Sequence, residues 1–179
     1  VGGAGGRKFR KLAERVPLVC HGLALNLGGY APLDVAFLGK LRSFLADIDA
    51  RFYSEHLSYC GDHAHLYDLM PLPFTGETVR HVAARIRQAQ DVLGMRMAVE
   101  NVSYYAQPGT ELTEIEFLNA VLSEADCLLH LDINNIYVNS INHGYDAAAF
   151  VRAVPGERIA YAHLAGHHYD SEHLRIDTH

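Results

Sequence analysis

Six short apolar runs along this chain each end in a histidine, glutamate or aspartate. They occupy residues 17–21, 52–56, 97–100, 128–132, 159–163 and 175–179. Their polar ends at His21, His56, Glu100, Asp132 and His163 are 35, 44, 32 and 31 residues apart, and His179 ends the last run. A βα unit takes roughly 30 residues or more, so this spacing predicts a repeating strand–helix–strand chain. Every polar end is a metal-ligand type. The recurrence therefore predicts parallel strands that deliver ligands to one rim of a sheet.

The segments between the runs support that expectation. Residues 7–15 read as the end of a helix or a surface segment. From Pro32 to about Asp47 the apolar residues Leu33, Val35, Phe37, Leu38, Leu41, Phe44 and Leu45 fall at helical spacing. Residues 57–76 form a long connection holding Asp62, His63, His65 and Asp68, and a loop of that length in a compact domain is usually functional or partly structured. Thr75 or Gly76 then caps a helix of residues 77–93, with Gly94 as its stop. Thr113 and Glu116 form a capping-box pattern for a helix to about Glu124. Asp146 caps a short helix to Ala153, ended by Pro155-Gly156. The strands are apolar on both faces, as in a parallel sheet covered by helices.

The fold class is thus α/β. Ligand-type residues at one end of the strands suit a (β/α)8 TIM barrel, whose active sites sit at the C-terminal strand ends. Such a barrel needs about 250 residues. The 179 residues here supply five or six strands, so the chain reads as one partial TIM-barrel domain, 1–179, cut at both ends. The first residue is Val and the last, His179, follows directly on a strand-like pair.

Composition bounds the function. A net charge of −6 leaves no electrostatic footprint for nucleic acid. No run approaches the ~20 apolar residues that cross a bilayer, and residues 1–15 lack the apolar core of a signal peptide. Cys20, Cys60 and Cys127 form no CxxC; Cys20 and Cys127 lie in apolar runs and read as buried small hydrophobes. A reducing, cytoplasmic setting is the expectation.

Mixed imidazole and carboxylate donors suit iron, manganese or zinc. The candidate ligands are His21, His56, Glu100, Asp132, His163, Asp177 and His179. Seven exceed the needs of one ion, so two or three ions sharing a carboxylate are expected. Asp177 and His179 share a face in an extended strand. Asn101, Asn134 and Asn135 flank the carboxylates and can hold them by hydrogen bonds, ligate directly or stabilise turns. His167, four residues after His163, can approach the site. His130 reads as a satisfied core histidine, His63 and His65 as lid or surface residues, His81 and His143 as solvated. Tyr59, Tyr104 and Tyr105 read as pocket walls or core.

Several of these segments, taken in order, resemble one known family. They are His21-Gly-Leu, Glu55-His56-Leu-Ser-Tyr, Leu69-Met-Pro-Leu-Pro, Val99-Glu100-Asn101, Leu131-Asp132-Ile-Asn-Asn135, His163-Leu-Ala-Gly-His167 and Ile176-Asp177-Thr-His179. From about residue 7 to the end the chain resembles the multinuclear non-haem iron-dependent oxidases, long catalogued as an uncharacterised bacterial family. The resemblance implies a xylose-isomerase-like barrel with two or three irons of mixed valence. It implies O2-dependent modification of cysteines in a ribosomally made precursor peptide, helped by a partner protein that presents the peptide. In that pattern His21, His56 and Glu100 hold one iron, and Glu100, Asp132 and His163 hold a second, with Glu100 bridging. Asp177 and His179 contribute to a third. Glu100 and His56 stand nearest the reacting centre.

The family pattern also has a strand with an acidic motif ahead of residue 1 and a strand with a Glu ligand after residue 179. A chain without them is expected to expose sheet edges, leave one iron short of a ligand and be inactive by itself. Two rivals stand beside the oxidase. One is a metal-dependent sugar isomerase or zinc phosphodiesterase on the same barrel, since fold alone does not set function. The other is a non-catalytic metal-binding protein.

Overall fold

The computed structural model describes residues 3–61 and 65–178, with the backbone alone for His65 and Tyr67. In chain order the elements are α1 (Gly3–Ala13), β1 (Val19–Gly22), α2 (Val35–Asp47), β2 (Phe52–His56), β3 (Tyr59–Gly61) and β4 (His65–Met70). Then come α3 (Gly76–Leu93), β5 (Ala98–Glu100), α4 (Glu114–Ala125), β6 (Leu128–Asp132), α5 (Ile133–His143), α6 (Ala147–Ala153) and β7 (Ile159–His163). The hairpin β8 (His167–Ser171) and β9 (Leu174–Asp177) closes the series.

Local chemistry sets most of the helix ends. The Asp34 carboxylate accepts the Phe37 amide at 2.9 Å and starts α2 two residues beyond the Pro32 region. Thr75 caps α3, and Gly94 closes it in the left-handed region at φ 71°, where a side chain would be strained. Thr113 and Glu116 make both bonds of the capping box on α4. Along α3 the buried side chains are Val79, Val82, Ala83, Ile86, Ala89 and Leu93, one stripe of helical period. That stripe joins the hydrophobic core, and α3 packs beside α2 and α4.

β1, β2, β5, β6 and β7 form one sheet in that order, and every neighbouring pair is parallel. The centre of the sheet is buried on both faces: Ala98 and His130 are almost wholly covered on one, and on the other Met97, Val99 and Leu129 are fully covered apolar side chains. Each such side chain contributes roughly 1.5–3 kcal/mol by leaving water. The two outer strands differ: Val19 on β1 is 45% exposed, and β7 keeps only intermediate or exposed residues. Among the described residues neither outer strand has a second neighbour, so the sheet is open at both sides.

Register explains how residues from different levels meet. His21 lies opposite Ser54, while His56 lies opposite Glu100 and Glu100 opposite His130. His130 in turn faces Tyr161, and Asp132 faces His163. The polar row thus climbs one pleat between β1 and β2 and another between β5 and β6. Such a stagger is what tilted strands of a barrel require.

The structure departs from the sequence pattern in two places and gives form to a third. The sixth apolar run does not join the parallel sheet: β9 pairs antiparallel with β8. Asn142 on α5 takes the place of a neighbouring strand for it, donating to the Arg175 carbonyl at 2.9 Å and accepting the Arg175 amide at 2.8 Å. The long connection after His56 holds the antiparallel pair β3–β4. Its Asp62 and His63 lie outside the described residues, and so does the side chain of His65. Finally, α5 is a full helix that the sequence pattern does not announce.

Candidate metal centre

Glu100 ends β5, the shortest and most enclosed strand of the sheet, and its carboxylate is almost wholly buried. Its Oε2 atom is ringed by imidazole nitrogens: His21 Nε2 at 2.9 Å, His56 Nε2 at 3.4 Å and His130 Nδ1 at 3.5 Å. The His21 and His56 Nε2 atoms are themselves 3.1 Å apart. Burial works to raise the Glu100 carboxyl, but the hydrogen bond from His21 and the imidazoles of His56 and His130 outweigh it. The group is held below its ordinary value. Burial also holds the His130 imidazolium down to about 4, so this ring is neutral near pH 7. A buried carboxylate oxygen ringed by imidazole nitrogens is a donor set that a cation satisfies.

A second group adjoins the first. Asp132, fully buried at the end of β6, places Oδ2 at 2.9 Å from His163 Nδ1. Its other oxygen caps α5, accepting the Asn135 amide at 2.6 Å. One residue therefore ends a strand, starts a helix and presents an oxygen to the rim. The ligand-type atoms of Glu100, Asp132 and His163 lie within 4.8 Å of one another, as do those of His21, Glu100 and His130. Glu100 is common to both groups.

The asparagines hold this arrangement in place. Asn101 donates to the Asp132 carbonyl and accepts the Asp132 amide, both at 2.9 Å, and so ties β5 to β6 at the rim. Asn135 donates to the Asn101 carbonyl at 3.0 Å and lies 3.4 Å from Glu100 Oε1. Asn134 instead serves the hairpin: it donates to Asp177 Oδ1 at 2.9 Å and to the Gly166 carbonyl at 3.0 Å, and it meets His167 Nδ1 at 3.0 Å. Asp177 also faces Ser103 at 3.4 Å and bonds its own amide to the Tyr105 hydroxyl at 3.0 Å. Neither Asp177 nor His167 belongs to the two convergent groups among the described residues. His179 lies outside the described residues.

Several residues that shape the site were absent from, or misread in, the sequence pattern. His130 is a member of the cluster and not a core histidine with ordinary partners. The signal was its alternation with Asp132, which puts both on one strand face. By the same alternation Ser54 and Tyr161 sit one pleat below His56 and His163. Ser54 Oγ lies 2.6 Å from His21 Nδ1 and 2.5 Å from Tyr161 Oη. Glu55 was also missed. Its buried carboxylate accepts the Ala24 and Leu25 amides, each at 3.0 Å, and anchors the loop that follows His21. Gly22 makes this possible, because a Cβ there would run into the Tyr53 hydroxyl and Glu55 Oε1. His81 and His143 are not simply solvated: they bond the Gly29 and Tyr104 carbonyls at 3.0 and 2.9 Å. Tyr104 is buried, whereas Tyr105 is half-exposed.

The thiols take no part in this cluster. Cys60 and Cys127 are buried, and burial pushes Cys127 up to about 12. A cavity of about 720 Å³ lies elsewhere, against α4 and α6, lined by Tyr104, Glu114, His143 and Tyr145. Among the described residues no helix is long and apolar enough to cross a membrane.

Comparison with known proteins places this geometry in a family. The family described as RiPP precursor modification enzyme MbnB/TglH/ChrH matches residues 1–179. A UPF0276 protein of Shewanella loihica is 59% identical over 179 residues, which is 100% of this chain and 64% of the relative. A UPF0276 protein of Pseudomonas aeruginosa is 57% identical, covering 100% of this chain and 63% of its own. The chain thus spans a little under two thirds of these relatives. Among solved structures, an L-ribulose 3-epimerase superposes with a TM-score of 0.60 at 16% identity, covering 88% of this chain and 55% of its own. A xylose isomerase domain protein from Planctomyces limnophilus gives 0.57 at 12% identity, covering 96% and 63%. At such identities the likeness speaks for the fold alone: an α/β architecture with TIM-barrel neighbours of the xylose-isomerase kind. The motif order, the match along the whole chain and the close relatives agree, and the chain belongs to the MbnB/TglH/ChrH family of RiPP precursor modification enzymes, the multinuclear non-haem iron-dependent oxidases.

Proposed function

We propose that this chain carries the metal centre of a multi-iron, O2-dependent oxidase that modifies cysteine residues of a ribosomally made precursor peptide. The observation that supports it most is the convergence of three imidazole nitrogens on one buried carboxylate oxygen, with a second carboxylate–imidazole pair beside it. The donor chemistry fits iron: nitrogen and carboxylate oxygen, with no thiolate in reach. His21 and His56 would hold one ion, Asp132 and His163 a second, and Glu100 would serve both. Asp177 and His179 are proposed for a third. Bound iron would supply the one-electron chemistry with O2 that no side chain here can perform.

The protein's own part is placement. The Asn101 clamp fixes the Asp132 backbone, and the α5 N-terminus holds one Asp132 oxygen so that the other faces His163. His21 and His163 are the least covered members, so a peptide can reach the rim from their side. Closure of a full barrel requires strands beyond the five in this sheet. A partner protein that presents the peptide belongs to the same proposal.

The test is anaerobic loading of the full-length protein with Fe(II), then O2 and a Cys-containing precursor peptide with its partner. A peptide mass change that disappears when the cysteine is replaced by alanine is the expected result. No mass change with all components present overturns the proposal. One alternative is a divalent-metal isomerase, because mixed imidazole and carboxylate donors also suit zinc or manganese and fold alone does not set function. Zinc or manganese at full occupancy, with no O2 uptake and turnover of a keto-sugar, would establish that alternative.

A further inference from the structure

The cavity against α4 and α6 has no part in the metal centre, and its walls are built before anything enters it. It measures about 720 Å³. Ligand sites typically enclose roughly 300–1,000 Å³. Aromatic pairs set its shape: Tyr145 stacks on Phe150 at 5.5 Å, Phe74 meets Tyr104 edge-on at 5.5 Å, and Tyr104 stacks on His143 at 4.1 Å. The enclosed carboxyl of Glu114 is already served by the Tyr104 hydroxyl at 3.2 Å and the Asn139 amide at 3.1 Å, and forms part of the lining.

The mouth is acidic. Exposed Glu111, Glu116 and Asp146 line it, and among the described residues no lysine or arginine does. Each carboxylate also secures the backbone. Glu111 accepts the Gly76 amide at 3.1 Å, Glu116 the Thr113 amide at 2.8 Å, and Asp146 the Ala148 and Ala149 amides at 2.8 and 3.0 Å. These bonds hold Glu116 and Asp146 below the usual carboxylate range, so both are ionised near pH 7. Arg152, 3.9 Å from Asp146 and itself exposed, offsets one of the three charges only weakly. A ligand that fits must therefore join apolar bulk to positive charge.

Position narrows the occupant. α4 and α6 lie on the crossovers into and out of β6, whereas the sheet is open at β1 and β7. Strands added at those open sides leave the cavity uncovered. The cavity also shares the loop after β5 with the metal centre. Asn101 clamps Asp132, and Tyr104, which lines the cavity, follows within ~11 Å of extended chain. Asn139 braces that loop, donating to the Val102 carbonyl and accepting the Tyr104 amide, both at 3.0 Å. One extended peptide can fill the cavity and still present another of its residues at the metal rim.

We propose that the cavity between α4 and α6 is a docking site for a basic, apolar segment of the precursor peptide, distinct from the residue that reacts. The proposal rests on the peptide-modifying reading for its occupant, but binding can be measured without any metal.

The experiment uses the full-length, metal-free protein and two labelled, cysteine-free peptides, one of Lys, Phe and Ala, the other with Glu in place of Lys. Fluorescence anisotropy should show the Lys peptide bound and the Glu peptide at least ~10-fold weaker, the scale of three exposed charge pairs. The triple variant Glu111→Gln, Glu116→Gln, Asp146→Asn keeps an acceptor oxygen at every cap and should lose a similar ~10-fold for the Lys peptide. Ala149→Trp, at an exposed position on α6, should block the cavity and abolish binding; in the iron-loaded enzyme it should raise KM for the precursor with iron content unchanged. No binding of the Lys peptide, equal binding of both peptides, or binding and KM unchanged in the variants overturns the proposal. So does an Ala149→Cys thiol closed to maleimide in the full-length protein, which would mean that the rest of the chain covers the cavity, or one shielded by a partner protein but not by the peptide. Lys-peptide binding in a protein that modifies no precursor would remove the oxidase reading and leave the docking site standing.

Discussion

Two buried glutamates show what separates a ligand site from a merely polar core. Glu100 and Glu114 are both taken out of water, and burial raises both carboxyls. Glu100 nevertheless ends below its ordinary value, because imidazoles face it. Glu114 ends at about 7, because its neighbours are the Tyr104 hydroxyl at 3.2 Å and the Asn139 amide at 3.1 Å. Phenol and amide donate single hydrogen bonds and carry no charge. The imidazoles around Glu100 bring three ring nitrogens, all ligand-type atoms, onto one oxygen. The difference lies in the partners' chemistry, not in the burial.

The comparison can be broken most severely at Glu100. Replacing Glu100→Gln should remove metal from both groups, with affinity down by at least ~100-fold, beyond what loss of a supporting residue typically costs. Metal analysis after Fe(II) loading checks this, and retention of full iron content would sink the shared role of Glu100. Glu114→Gln should leave metal content unchanged and alter stability with pH instead. Below the ordinary carboxyl value of 4.5, Glu114 is protonated folded or unfolded, and burial adds no cost. As pH rises toward about 7 the unfolded chain releases its proton first, so the native state loses ground by up to roughly 3 kcal/mol. Denaturant unfolding at pH 5 and pH 8 should show this slope in the wild type and a reduced slope in Glu114→Gln.

Smaller effects sharpen the contrast. Asn101→Ala strands the Asp132 amide and carbonyl inside the protein, and a loss of about 2 kcal/mol in unfolding free energy is expected. It should also weaken the Asp132–His163 group more than the His21–His56 group, which sequential metal titration would resolve. Thr113→Ala, close to Glu114 in the chain but exposed, removes one half of the capping box. It should cost about 1 kcal/mol in thermal unfolding and nothing in metal binding.

Much of this molecule could be read from the chain. Parallel strands have their own punctuation, and a polar residue that ends an apolar run is placed at the sheet's rim by the backbone itself. His21, His56, Glu100, Asp132 and His163 were found in that way. The α4 capping box and the Gly94 stop were equally plain, because capping is a matter of neighbours three or four residues apart. By contrast α5 was hidden. Its sequence, Ile-Asn-Asn-Ile-Tyr-Val-Asn-Ser-Ile-Asn-His, is rich in β-branched residues and asparagine, which are weak helix formers. The helix forms because Asp132 caps it and because Asn135, Asn139 and Asn142 find partners at Asn101 and Val102, just after β5, and at Arg175 on β9. Those partners lie 33 to 37 residues away in sequence.

The rim residues themselves were set by the sequence alone, since the period of two in a strand and the length of a βα unit are local properties. Which of them meet was decided only in three dimensions. The stagger between β1 and β2, and between β5 and β6, brings His21 beside His56, sets His130 level with Glu100 within the cluster and puts Tyr161 beneath His163. It also leaves Asp177, from the sixth run, on a hairpin held by Asn134. Register is a property of pairs of strands, and it depends on packing that no single run of residues contains.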